Sequence, residues 1–127
     1  MSRARSGIRQ AAEKRGRRSE TFAALLLQLK FYRILGRRVR THAGEIDLVA
    51  RAPNGVICFI EVKARKQTAL AVQSLGERQL QRIARAAELY LAARPNLGAK
   101  GVRFDVVTVA PGGLPRHVRD AWRPGGG

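Results

Sequence analysis

Between residues 18 and 30 the apolar side chains Phe22, Leu25, Leu26 and Leu29 recur at i, i+3, i+4 and i+7, which predicts an amphipathic helix with that stripe as its apolar face. Tyr32–Arg40 then reads as a strand, with Gly36 as a bulge or bend. Gly44 opens a second strand, Glu45–Arg51, and Pro53-Asn54-Gly55 is a turn signal leading into a third, Val56–Arg65. The last two form a hairpin expected at the centre of a sheet. Gly76–Ala93 is the clearest helix: Leu80, Ile83, Ala84, Ala87 and Leu91 make one stripe, Arg78, Arg82 and Arg85 line another face, and Pro95 stops it. Val102–Ala110 is a Val-rich strand broken by Pro111-Gly112-Gly113, and Trp122 in the tail is expected to pack on the sheet. The order αβββαβ predicts an α/β fold, one mixed central sheet flanked by helices. No internal repeat is visible.

At 127 residues the chain is one domain, and 45% hydrophobic with 27% charged residues is the composition of a folded core. Residues 1–15, with Arg3, Arg5, Arg9 and Lys14 among Ser, Gly and Ala, are expected to be a flexible basic arm. Residues 16–123 are then the single domain and 124–127 a flexible tail. No apolar run approaches the roughly 18 residues needed to span a bilayer, and the basic start lacks the apolar stretch of a signal peptide, so a cytoplasmic protein without membrane contact is expected. Cys58 is the only cysteine; intrachain disulfides are excluded, and its apolar surroundings mark a small buried hydrophobe.

Charge changes the picture. Twenty-five Lys and Arg face nine acids, net +16, and twenty of the cations are Arg, the side chain that grips phosphate bidentately. A polyanion, nucleic acid before anionic lipid, is the expected partner. The distribution is uneven: net +10 over residues 1–40, zero over 41–65 and +6 over 66–127. In the neutral stretch Glu45, Asp47 and Glu61 sit in segments that otherwise read as buried strands, and acids there require a reason.

Strand alternation puts Ile57, Phe59, Glu61 and Lys63 on one face, so an acid and an amine emerge side by side at the end of an apolar strand. Asp47 comes close to Glu61 if the hairpin register allows. Two such carboxylates repel unless a cation lies between them, and with a backbone carbonyl and waters they suit Mg²⁺ or Mn²⁺. A metal of this kind activates water against a phosphodiester, with Lys63 orienting that water or stabilising the developing charge. A strand-end Glu61–Lys63 ion pair with Asp47 capping a turn is the bland alternative.

The run Gly44-Glu45-Ile46-Asp47-Leu48-Val49-Ala50-Arg51 followed by Phe59-Ile60-Glu61-Val62-Lys63-Ala64-Arg65 closely resembles the YraN family of endonuclease-like bacterial proteins, placed in the PD-(D/E)XK nuclease superfamily. The resemblance extends from about Gly16 to Trp122, through Gly16-Arg17-Arg18-Ser19-Glu20, Ala86-Ala87-Glu88-Leu89-Tyr90-Leu91 and Val102-Arg103-Phe104-Asp105-Val106. It implies a restriction-endonuclease-like αβββαβ core, with Asp47 and Glu61 as metal-binding acids, Lys63 as the catalytic lysine and Glu20 as an additional acid for metal. Three positions depart from the pattern: Ile46 rather than Pro precedes the signature Asp, as is usual in the family, Ser19 replaces a common Gly, and Gln79 replaces a frequent Lys. The last bears on substrate contact rather than on the acid set.

Glu20 has a second reading as an acid in the first helical turn beside a Ser19 cap. Glu45 is expected to pair with an Arg at the rim, Asp105 to be a structural partner for a neighbouring Arg, and His42 to be a solvated loop residue. For Tyr32 and Tyr90 packing is favoured over base stacking. Arg65, Arg78, Gln79, Arg82 and Arg85 are the candidate phosphate contacts, which would position DNA without reading its sequence. The leading expectation is a metal-dependent endonuclease acting on DNA, branched or repair intermediates included. The alternative is a nucleic-acid-binding module with a nuclease fold and little cleavage, and a ribosomal-protein-like RNA binder explains the charge but not the acids. Cutting of two strands would favour a symmetric homodimer, by analogy of fold alone.

Overall fold

The computed structural model describes residues 18–64, 75–110 and 112–125. Its elements are helix α1 (18–29), strands β1 (Arg33–Arg40), β2 (Glu45–Arg51) and β3 (Ile57–Lys63), helix α2 (Glu77–Ala92), and strands β4 (Val102–Thr108) and β5 (Arg116–Trp122). They build one mixed sheet of order β1-β2-β3-β4-β5. β1 and β2 pair antiparallel, as do β2 and β3; β3 and β4 are parallel, and β4 and β5 antiparallel. The parallel pair requires a crossover, which α2 supplies. The expected α/β architecture is present. The expected basic arm 1–15 and Arg65 lie outside the described residues.

β3 is the central strand, and Ile57, Cys58, Phe59 and Ile60 are all buried because helices cover both faces. Against α1 pack Leu48, Ala50, Cys58, Ile60 and Val107 with Ala23, Ala24 and Leu27. Against α2 pack Val49, Ile57, Phe59 and Phe104 with Ile83, Ala86, Ala87 and Tyr90. Burial pushes the Cys58 thiol up to about 12, so it stays a protonated, inert core residue.

The sequence pattern misassigned the inward face of α1. Phe22, Leu25 and Leu29 are 52%, 49% and 79% exposed, while Ala23, Ala24 and Leu27 are buried. Small residues win because they let the helix backbone lie close on the sheet, and Leu27 fills the space between. The helix ends in a Schellman motif: the Tyr32 amide donates to the Leu27 carbonyl at 2.9 Å and the Phe31 amide to Gln28 at 3.0 Å. Phe31 takes the left-handed position, at φ +67°, that glycine usually fills. In α2 the buried line is Ile83, Ala86, Ala87 and Tyr90, one residue around from the expected stripe.

Gly36 marks the expected bulge, where the β1–β2 register shifts between Ile34 and Gly36. A Cβ there would stand 2.7 Å from Val39 Cγ2, so the bend has no room for a side chain. β5 was not foreseen as a strand. Its sequence Arg116-His117-Val118-Arg119-Asp120-Ala121-Trp122 is too polar for the alternation rule, since only one face of an edge strand needs to be apolar. Trp122 does pack on the sheet, 4.4 Å between ring centroids from Phe104.

Candidate metal and nucleic-acid site

The site is set by how β2 parts from its neighbours. β2 and β3 pair from Arg51↔Ile57 to Leu48↔Ile60, and the next position in that register sets Asp47 against Glu61. There the ladder gives way, and the Asp47 Oδ2 accepts the Val62 amide hydrogen at 2.8 Å in place of a backbone carbonyl. On the other side, Arg37↔Leu48 and Val39↔Ile46 bracket Asp47, so Arg38 lies opposite it on β1. A row Arg38–Asp47–Glu61 therefore crosses three strands.

Glu61 is 6% exposed, and its Oε1 is buried with no hydrogen-bond partner. Burial is the main force raising its pKa, the charge of Asp47 adds to it, and Lys63 opposes them; the result is about 9. Asp47 is raised as well, by burial and by the charges of Glu20 and Glu45, against the Val62 hydrogen bond that lowers it. An orphaned buried carboxyl oxygen beside a second carboxyl is the geometry that a hard divalent cation relieves. Among the described residues no three Asp, Glu, His or Cys side chains form a ready-made metal cage, so the chain offers a pair. Lys63, two residues beyond Glu61 on the same strand, is half-buried, and its carbonyl accepts the Val109 amide hydrogen at 2.8 Å, which ties the end of β3 to the end of β4.

Glu20 is buried in the first turns of α1, near enough to influence Asp47, but its carboxylate is held by Arg38: Nε donates to Oε2 at 2.8 Å. The pKa of Arg38 is raised, first by the Glu20 hydrogen bond and further by the charges of Glu20, Glu45 and Asp47. Sequence reasoning missed Arg38. Counting back from the turn at Thr41–Gly44, where Arg40 meets Glu45, would have placed it opposite Asp47. Its φ of +50° is uncommon outside glycine and sets the β1 backbone at this point.

Arg78, Arg82 and Arg85 are exposed along α2, and Gln79 is half-buried in its first turn. Arg82 Cβ lies 3.6 Å from the position a Cβ would take on Gly44, so this helix face adjoins the start of the strand that carries Asp47. Arg85 is in part engaged with Glu88, at 2.8 Å on an open surface. Glu45 pairs with Arg40 at 3.3 Å, His42 is exposed, and Tyr32 and Tyr90 are buried. Asp105 is gripped by Arg103 at 2.9 Å, the structural partnership expected for it.

Residues 19–109, spanning α1 through β4 and including every acid above, match the uncharacterised protein family UPF0102. The chain belongs to this family. Among curated UPF0102 proteins, one from Paramagnetospirillum magneticum is 50% identical over 122 residues, covering 93% of this chain and 94% of its own. Another from Maricaulis maris is 50% identical over 117 residues, 92% and 91% of the two chains. A third, from Agrobacterium fabrum, is 49% identical over 117 residues, 92% and 95%. UPF0102 membership agrees with the YraN resemblance read from the acid-bearing strands.

Among the described residues of this UPF0102 chain no helix is long and apolar enough to cross a membrane.

Proposed function

We propose that this UPF0102 protein is a metal-dependent endonuclease acting on DNA phosphodiester bonds, of the PD-(D/E)XK type. One observation carries the reading: a buried Glu61 oxygen without a partner stands beside Asp47, with Lys63 on the same strand. A protein that only bound nucleic acid would gain stability by replacing that pair with apolar residues.

Asp47 and Glu61 would hold Mg²⁺ or Mn²⁺, which when bound polarises the phosphodiester and activates water. Glu61, whose pKa is raised to about 9 chiefly by burial, would have to release its proton to serve as a ligand. The Asp47 carboxylate is oriented by the Val62 amide, so it needs no rearrangement to serve as a ligand. Lys63 Nζ stabilises negative charge developing on the phosphate oxygens. Arg78 and Arg82, with Gln79, hold the flanking backbone. Glu20, whose Oε2 is held by Arg38, would join the metal in competition with that guanidinium.

The Glu20–Arg38 pair favours one second reading, a nucleic-acid-binding module with the nuclease fold and little intrinsic cleavage. Labelled branched, duplex and single-stranded DNA, incubated with Mg²⁺ or Mn²⁺, separates the two. Metal-dependent products from the wild type that vanish with Lys63→Ala, while DNA affinity is retained, support the nuclease; equal binding by both with no cutting supports the module.

A further inference from the structure

On the α1 side of the sheet, Lys30, Tyr32, Arg103, Asp105 and His117 form a second polar cluster with no part in the chemistry above. Asp105 is fully buried, and its carboxylate takes four hydrogen bonds: two from Arg103 at 2.9 Å each, one from the Asp120 amide at 3.0 Å and one from His117 Nε2 at 2.7 Å. The other imidazole nitrogen, Nδ1, is 2.7 Å from Lys30 Nζ. A lysine nitrogen bound to hydrogens donates, so Nδ1 is the acceptor and the imidazole proton sits on Nε2, directed at Asp105. The ring cannot turn away: its side chain is 2% exposed and it meets the edge of Tyr32, whose hydroxyl accepts from Arg103 at 2.7 Å.

Here an oriented imidazole is interposed, giving an amine, a base and an acid that orients the base, the order of groups that activates a nucleophile. Lys30 is partly exposed. Its pKa is lowered, first by burial, then by Arg119, with Asp105 opposing and Arg103 assisting. The Arg119 guanidinium, which is exposed, adds a positive charge beside Lys30 that attracts a phosphate.

We propose that Lys30 is a nucleophile that takes an acyl group from an acyl phosphate, with His117 as its base. The Nζ lone pair attacks the acyl carbon, a C–N bond forms, and the C–O bond to phosphate breaks with its electron pair leaving on the phosphate. The surplus proton on nitrogen passes to His117 Nδ1 and from there to water, leaving an amide on Lys30.

The test is acetylation of the full chain by acetyl phosphate at neutral pH, with occupancy read lysine by lysine by peptide mass spectrometry. Lys100, which is exposed, is the internal reference and requires no variant. Lys30 is expected to react about a hundredfold faster than Lys100, the lower end of what a positioned base supplies. His117→Gln should bring Lys30 to the Lys100 rate and leave Lys100 unchanged. Equal rates in the wild type, or a ratio indifferent to His117→Gln, would overturn the proposal. A neutral acetyl ester serves as the second probe: a smaller Lys30 preference supports phosphate as the leaving group, and an undiminished one overturns that part.

Discussion

Asp47 stands opposite Glu61 at the position where β2 leaves β3, and it accepts the Val62 amide hydrogen that the ladder would have given to a backbone carbonyl. The parting of the strands thus places a carboxylate at a fixed point without leaving an amide unsatisfied, and sets the second carboxyl, the buried Glu61, beside it. The site is a consequence of strand geometry more than of side-chain packing.

Stability without metal should fall as pH rises. Glu61 has an ordinary value of 4.5 and a folded value of about 9, so between them the folded state holds more protons than the unfolded one. The contribution is complete below pH 4.5 and declines through the window up to about 9, with a limiting slope of about 1.4 kcal/mol per pH unit. Glu61→Gln should flatten this slope and raise the melting temperature at pH 8 relative to wild type. Chemical denaturation at several pH values measures it; a variant with unchanged pH dependence would remove Glu61 as the source.

Asp105 gives the opposite sign. Burial alone would raise its pKa, but the hydrogen bonds from His117, Arg103 and the Asp120 amide outweigh burial and hold it at about 2. Its contribution is present above 3.8 and lost as pH falls through about 2. Asp105→Asn leaves the half-buried Arg103 without its anion and should cost about 3 kcal/mol at neutral pH, read as a shift in denaturant midpoint.

The inward face of α1 is testable by truncation. Leu27→Ala, at a fully buried position, should cost about 2–5 kcal/mol, whereas Leu29→Ala, at 79% exposure, should change stability by less than about 0.5 kcal/mol. The apolar stripe read from the chain, which contains Leu29 and not Leu27, implies the reverse order.

That stripe shows where sequence reasoning stops. The strand and helix order was legible because β2, β3, β4 and α2 carry strong periodicity, and the Asp47–Glu61–Lys63 cluster was legible because acids interrupt buried strands. The α1 face was not, because alanines score weakly as core residues yet pack closest. β5 was hidden because an edge strand tolerates Arg116, Arg119 and Asp120. Arg38 was hidden for a different reason: it matters through register, which depends on recognising the Thr41–Gly44 turn.

DNA affinity should depend steeply on salt. If Arg78 and Arg82 each neutralise a phosphate, replacing both with Ala should make the log–log salt slope shallower by about 0.9 per lost contact on duplex DNA. Fluorescence anisotropy across a salt series measures the slope, and an unchanged slope would exclude this helix face from the interface.

The most direct measurement is calorimetric titration of the full chain with Mn²⁺ at pH 7 in two buffers of different ionisation enthalpy, which counts protons released on binding. Because Glu61 is protonated in the free protein, its use as a ligand predicts release of about one proton, lost together with Mn²⁺ binding in Asp47→Asn and Glu61→Gln. Absence of binding to the wild type, or binding indifferent to both substitutions, would contradict the account.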